Sequence, residues 1–525
     1  MKQRLKIIFA SILVLCTFSG CATSSPVNPP EEIEEVNLDW YINFSWMSTQ
    51  WGASDVSKEI TNHTGVSVDF MMPTGNESEK LNAMIAQDSL PDIITLGWWE
   101  PQVQTLMNTE YTYPLNELAE QYSPEFFDYA GEQQLEWYRS SDGNVYCYPN
   151  CSISPEDHDN GAARASNQSF LVRKDIYEAL GSPDMSTPEG FMNAIRLAAE
   201  KYPYVNGQPL IPFGAHEFDE YGCDSLGGML MNFLAVPFEE DGKMYDRTSD
   251  EEYLRWLKVF RQLFSEGLIT SDIFVVKRAQ MDERIKNGQY FCMLYQHSDI
   301  AEDQKYILDN DPERVYIAVD GPKNSNGDPH RLASVGINGW TVTFITKNCE
   351  NPEKAIEFLT FLMSEEGQKL TYLGVEGKHY TWENGEAKFT DEVEELYYGN
   401  YNKFISDIGA DNTYWMMENT VMQNKWPLKL DEVLLQPQEW SEQYSYYCGQ
   451  YEINLDSSLP EYKTETKIKT LWGTTLPKLL MADSDQEFDR IFDEYLEERD
   501  SLGFDELNDL YTEIMLSNKE QLGLE

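Results

Sequence analysis

The sequence predicts an α/β fold. Three observations carry that prediction. Short strand-like runs alternate with capped amphipathic helices through most of the chain. The length of 525 residues exceeds what one hydrophobic core supports, so two or more compact units are expected. The composition, 41% hydrophobic and 13% aromatic, supplies ample material for packed interiors despite 25% charged residues.

The first segment is an address and not part of the fold. Lys2, Arg4 and Lys6 form a basic n-region, and Ile7 to Phe18 is an apolar run too short for a stable span. Phe18-Ser19-Gly20-Cys21 resembles a bacterial lipobox, with Phe18 where Leu is usual. Residues 1–20 are therefore expected to be a lipoprotein signal peptide, with Cys21 the acylated, palmitate-bearing residue. The alternative is a plain secretory signal with an incidental cysteine. Residues 21–36, rich in Ser, Pro and Glu, read as a tether.

From there the elements follow in order. Residues 37–46 alternate apolar and polar as a strand, Asp55 to Thr64 suits a helix, and Val66 to Phe70 repeats the alternation. Asp92 to Leu96 is a short buried-type strand ended by Gly97, with Pro91-Asp92 as its starting device. This β-α-β-α-β opening implies parallel strands with crossover helices. Thr187-Pro188-Glu189 opens a helix with Phe191, Ile195 and Ala198 on one face. Ser249-Asp250-Glu251-Glu252 reads as a capping box before Tyr253, Trp256, Leu257, Phe260 and Phe264. Asn351-Pro352-Glu353 opens a helix striped by Ile356, Leu359 and Met363. Ser484 caps another, carrying Phe488, Ile491, Phe492 and Tyr495 and stopped by Gly503. The last third is expected to be mostly helical, broken by aromatic-rich loops around 397–415 and 436–451. No solenoid or propeller repeat is visible.

Charge narrows the function classes. Ninety acidic against 39 basic residues give −51, which disfavours nucleic acid or anionic lipid as partner. Loss of residues 1–20 removes three cations, leaving 36 against 90, or −54. There is no phosphate loop, dinucleotide fingerprint, zinc-protease motif or nucleophile elbow. The six histidines (63, 158, 216, 297, 330 and 379) are scattered, so no metal is expected. Asp483, Asp485 and Glu487 imitate a calcium loop only superficially and fit an acidic helix start better. Cys147, Cys151, Cys223, Cys292, Cys349 and Cys448 could form disulfides outside the cytoplasm or remain buried thiols.

What remains is aromatic content: 13 Trp, 31 Tyr and 24 Phe. Sugar rings present flat C–H faces that stack on aromatic rings, while their hydroxyls take Asp, Asn, Glu and Arg. Trp46, Trp51, Trp98, Trp99, Trp340, Trp382 and Trp415 fall where strands end or loops begin. Ligands of open α/β sheets bind beyond the carboxyl ends of strands.

Several segments in order resemble the bacterial extracellular solute-binding proteins of family 1: Leu90-Pro91-Asp92-Ile93-Ile94, Pro114 to Leu118, Asp142 to Tyr146 with Pro149, Leu171 to Asp175 with Leu180-Gly181, and Thr187 to Phe191. Asn351 to Ala355, Ser364 to Gly367, Gly374 to Tyr380 and Leu502-Gly503-Phe504 are similar to its large lipoprotein members that serve oligosaccharide importers. The resemblance implies a type II periplasmic-binding-protein fold, two α/β lobes around a ligand cleft with a helix-rich C-terminal part. Lobe one would comprise 37–168 plus 290–345, and lobe two 169–289 plus 346–525. The chain would cross at Ser169–Arg173, Gln289–Met293 and Gly339–Phe344. The implied ligand-binding residues are Trp98, Trp99, Trp340, Asn43, Trp46, Glu376 and His379. The implied function is that of a non-enzymatic carbohydrate receptor, a monomer without cofactor, held by Cys21 at the outer face of a bacterial cell membrane and delivering its ligand to ABC importer permeases. An exported cell-surface glycoside hydrolase, or a sugar-binding adhesion or sensor lipoprotein, are the alternatives.

Overall fold

The computed structural model describes residues 35–162, 165–430 and 432–524. The signal peptide, almost all of the tether and Cys21 lie outside them. Two sheets organise the described chain. In chain order the strands of these sheets and of a short pair beside them are β1 Val36–Ile42, β2 Val66–Met71, β3 Ile93–Gly97, β4 Cys147–Pro149, β5 Gln168–Arg173, β6 Ile211–Gly214, β7 Tyr290–Gln296, β8 Tyr316–Ala318, β9 Leu332–Ala333, β10 Thr341–Ile345 and β11 Ser445–Tyr446.

The first sheet runs β2-β1-β3-β10-β4. Its β1, β2 and β3 are parallel, with Val36 opposite Val66 and Trp40 opposite Ile93. Strand β10 is antiparallel to β3 and to β4, with Thr341 opposite Gly97 and Val342 opposite Pro149. Helix α1, Asp55–Thr64, crosses from β1 to β2; the Ser54 side chain caps it by accepting from the Ser57 N–H, and Gly65 ends it in the left-handed region at φ +74°. Helix α2, Glu77–Ala86, makes the second crossover. Asp92 fixes the register of the start of β3 by accepting from the Asp39 N–H at 2.8 Å.

The second sheet runs β8-β5-β7-β6. Strand β7 sits between β5 (antiparallel, Cys292 opposite Val172) and β6 (parallel, Cys292 opposite Phe213). Helix α3, Pro188–Lys201, is capped by Thr187, and α4, Glu251–Ser265, buries Trp256, Leu257 and Phe260. The α4 cap is Asp250, which accepts from the Glu252 and Tyr253 N–H groups; Ser249, the expected cap, instead donates to Asp246. A carboxylate one residue nearer the helix is the better acceptor and takes the role.

The two cores correct the expected lobe boundaries. One hydrophobic cluster joins Leu38, Trp40 and Val68 of the first sheet to Ile356, Phe358 and Leu359 of helix α5, Pro352–Met363, and onward to Phe404, Tyr414 and Trp415. The stretch from Thr346 through Trp426 therefore packs with lobe one. The other cluster joins Phe170 and Val172 to Phe191, Trp256 and Leu294, and to Leu476, Phe488 and Phe492 near the C-terminus. Strands β7 and β8 belong to lobe two, because β7 finds hydrogen-bond partners on both sides there. The chain passes between the sheets after β4, after β8, and after Lys429 on the way to helix α6, Glu432–Glu442, whose Gln436 makes paired hydrogen bonds to the Ala318 backbone at 2.8 and 2.9 Å. The expected crossings at Ser169–Arg173 and Gln289–Met293 lie inside the second sheet, whereas Gly339–Phe344 marks the entry into the first.

The loops expected around 397–415 and 436–451 are largely ordered into helices 391–399, 401–407 and α6, since Tyr397 and Phe404 bury their rings against Phe389. Asp485 and Glu487 at the start of the helix 485–501 are paired with Arg261 and Arg490, an acidic helix start. All six cysteines of the described residues are buried. Burial alone raises the Cys147 and Cys292 thiols above their ordinary range.

Candidate functional site

The carboxyl end of β1 turns sharply after Ile42. The Asn43 N–H donates to the Thr95 carbonyl at 2.9 Å, and the next residues, Phe44 and Trp46, leave the sheet. Trp340 enters from the other side, one residue ahead of β10. Trp415, from a short turn at 415–417, closes the group. The four rings form one stack-like cluster. Phe44 and Trp340 are 5.6 Å apart at 29°, Trp340 and Trp415 4.4 Å at 39°, Trp46 and Trp415 6.0 Å at 29°, and Trp46 and Trp340 6.2 Å at 13°. Phe44 and Trp415 are buried, Trp340 is half-buried, and Trp46 is 59% exposed.

Such a cluster is a platform. The buried rings fix the tilt of the outer one, and Trp46 shows a broad apolar face to water at the strand ends. Flat apolar surface held rigidly in the open suits a partner that is itself flat and weakly apolar on one side and polar at its rim.

The crossing strand that delivers Trp340 is held tightly. Asn150 accepts from the Thr341 N–H at 2.8 Å and donates to the Trp415 carbonyl at 3.0 Å, so one side chain ties two members of the cluster. Gly339 has φ +73°, and a Cβ there would lie 2.1 Å from the Asn150 carbonyl oxygen. Only glycine permits this approach.

Trp98 joins the same edge through its backbone, its N–H donating to the Trp340 carbonyl at 3.3 Å. Its ring packs half-buried beside the first sheet and meets Trp99 edge to face at 6.2 Å. Trp99 is 49% exposed and folds back over Gly97, where a Cβ would fall within 2.6 Å of its ring.

Asn43 is fully buried and its side chain is already engaged, accepting from the Tyr41 hydroxyl at 2.8 Å and donating to Glu100. Glu100 also accepts from the Gly97 N–H at 2.8 Å. Burial, with some repulsion from Glu77, pushes the Glu100 carboxyl up to about 7. Asn43 thus positions the turn that carries Phe44 and Trp46. His379 is buried, its Nδ1 accepting from the Val375 N–H at 3.0 Å and its Nε2 3.1 Å from Asp55 at the start of α1. Lys378 reaches the same Asp55 at 2.8 Å. Glu376 is exposed in the adjoining turn beside Tyr380. Both therefore make their contacts with helix α1 and the local turn, and not with the rings.

Of the residues named from the sequence, Trp46 and Trp340 lie ring against ring. Phe44 and Trp415 were not nominated, although Trp415 was visible as a loop aromatic. Phe44, two residues from Trp46 at the same strand end, carried the same signal.

A family model described as bacterial extracellular solute-binding protein matches residues 56–375. Lipoprotein LipO of Bacillus subtilis (strain 168) is 24% identical over 233 residues, 41% of this chain; the match spans 44% of LipO's own length. Among solved structures, the alginate-binding protein AlgQ2 without calcium ion superposes with a TM-score of 0.68 at 18% identity, over 92% of this chain and 98% of the other. The S. pneumoniae ABC-transporter substrate-binding protein FusA in complex with kestose gives 0.68 at 14%, over 92% and 100%. An HMO-binding, ABC-transporter-associated solute-binding protein from Bifidobacterium longum infantis ATCC 15697 gives 0.65 at 14%, over 92% and 98%. At these identities the likeness speaks for the fold.

Proposed function

The chain belongs to the bacterial extracellular solute-binding proteins, and from that premise we propose that it captures a carbohydrate, an oligosaccharide in particular, between its two lobes and delivers it to an ABC-type importer. The observation that carries the reading is the exposed Trp46 face backed by Trp340, Phe44 and Trp415 at the carboxyl end of β1. A sugar's C–H face covers such a ring and its rim hydroxyls remain free for polar groups on the opposite lobe. A ligand touching both lobes favours the closed form by the free energy of the added contacts, and a permease can then recognise the closed shape. No bond is made or broken in this scheme. Trp98 and Trp99 supply further aromatic surface and Asn43 holds the turn that carries Phe44 and Trp46, while Glu376 and His379 stay with helix α1 and their own turn.

The protein acts outside the cytoplasm as a monomer, anchored by a lipid on Cys21. Its relatives and structural neighbours, among them a lipoprotein and sugar-binding transporter components, support this reading. Among the described residues no helix is long and apolar enough to cross a membrane. Isothermal titration against a panel of oligosaccharides, with recovery of the intact sugar afterwards, tests capture and the absence of turnover together. Metabolic palmitate labelling of the full-length protein, lost in Cys21→Ser, tests the anchor.

A further inference from the structure

The described residues contain twelve arginines, and ten of them have a carboxylate within 4.0 Å. The two without one, Arg247 and Arg331, are neighbours. In a chain with 90 acidic residues against 39 basic ones, an arginine with no carboxylate within ion-pair distance is unusual, and two together more so.

Both are held on aromatic faces of one group. The Arg247 guanidinium lies 4.0 Å from the Phe238 ring centroid and that of Arg331 3.9 Å from Tyr446. Phe238 stacks on Tyr451 at 4.7 Å and 6°, and on Tyr446 at 6.4 Å and 18°. Arg247 spends one donor on the Asn232 side chain at 2.7 Å and one on the Val236 carbonyl at 3.2 Å, but its Nε is buried with no partner. The Arg331 side chain has no hydrogen-bond partner among the described residues, and is half-buried. Burial, with the charge of Arg331 adding to it, lowers Arg247 to about 10.

The group sits where lobe two faces lobe one. Asn232 donates to Gln168, the first residue of β5, at the end where the chain arrives from the first sheet. Leu332 and Ala333, next to Arg331, pair with Ser445 and Tyr446 on the crossing. Asn454, three residues past Tyr451, donates to the Trp98 carbonyl at 2.6 Å.

We propose that Arg247 and Arg331 form an anion subsite, so that the oligosaccharide this protein captures carries a negatively charged substituent, the carboxylate of a uronic acid or a sulfate ester. Two like charges, one of them largely buried and neither with a carboxylate within 4.0 Å, raise the energy of the empty state, and an anion between them removes that cost. The strongly acidic surroundings make the pair a local exception that selects anions only at this point.

The inference rests on the carbohydrate reading and can fail separately from it. Titrate the full-length protein with matched pairs: oligogalacturonides against their methyl esters, and 6′-sulfolactose against lactose, alongside other neutral oligosaccharides. The expected result is binding of an acidic member, at least tenfold weaker binding of its neutral counterpart, and a further tenfold loss in Arg331→Gln that Arg331→Lys partly restores. Arg331 makes no side-chain hydrogen bond, so the variant is expected to fold, which its melting curve checks. Binding confined to neutral sugars, unchanged by Arg331→Gln, overturns the anion subsite and leaves the carbohydrate reading standing. Silence across all sugars overturns both.

Discussion

The indoles of Trp46 and Trp340 lie 6.2 Å apart with their planes 13° from parallel, although 293 positions separate them in the chain. The first follows the end of β1 and the second precedes β10, so the antiparallel placement of β10 beside β3 is what creates the pair. Since Trp46 is mostly exposed and Trp415 is buried, the two should separate function from stability. Trp46→Ala should change unfolding free energy by less than about 0.5 kcal/mol, and Trp415→Ala should cost about 3–5 kcal/mol, read from denaturant melts.

Gly339 governs the presentation of Trp340. Gly339→Ala forces a Cβ against the Asn150 carbonyl at a φ that side chains rarely adopt. The strand must shift, and both stability and sugar affinity should fall, with a loss of stability of roughly 1–3 kcal/mol. Asn150→Ala should produce the same paired loss, because it leaves the Thr341 N–H without its acceptor.

His379 should behave differently. Its ring spans Val375 and Asp55, so His379→Ala leaves the Val375 N–H without its acceptor, while Asp55 keeps its ion pair with Lys378. A loss of about 1–3 kcal/mol in stability is expected, with sugar affinity unchanged in titrations below the melting transition.

Glu100 predicts a pH effect. Its folded-state carboxyl is raised, by burial first, to about 7. A carboxylate raised above its unfolded value binds its proton more tightly when folded. Its contribution is therefore fully present below about pH 4.5 and is lost as pH rises through about 7. Glu452, buried near Asn338 and Gly336, and Asp303, desolvated beside Lys286, are raised to about 7 as well and act in the same direction. Melting temperature should decline between pH 5 and 8, and Glu100→Gln should flatten that decline by its own share.

The legible parts of the fold were the local ones. Strands β1 to β3 and helix α1 follow from period and caps, with Ser54, Gly65 and Asp92 punctuating them. The lobe boundaries were not legible, because the seat of β7 between β5 and β6 is a long-range pairing that its uniformly apolar run does not encode. The same limit applies to the site. Trp46 and Trp340 were readable as aromatics at strand ends, whereas the ring contact with Trp415 needs the tertiary fold. The lone status of Arg247 and Arg331 is invisible in sequence, where neither stands apart from other arginines; it becomes visible only once every other described arginine is seen paired.

The most direct measurement is the affinity of the intact protein and of Trp46→Ala for the tightest-binding oligosaccharide of the panel, by isothermal titration. A stacked sugar face predicts saturable binding and a loss of roughly 1–3 kcal/mol, about 5- to 150-fold, in the variant. No binding of any sugar by the intact protein, or equal affinity in Trp46→Ala, would contradict capture at the aromatic cluster.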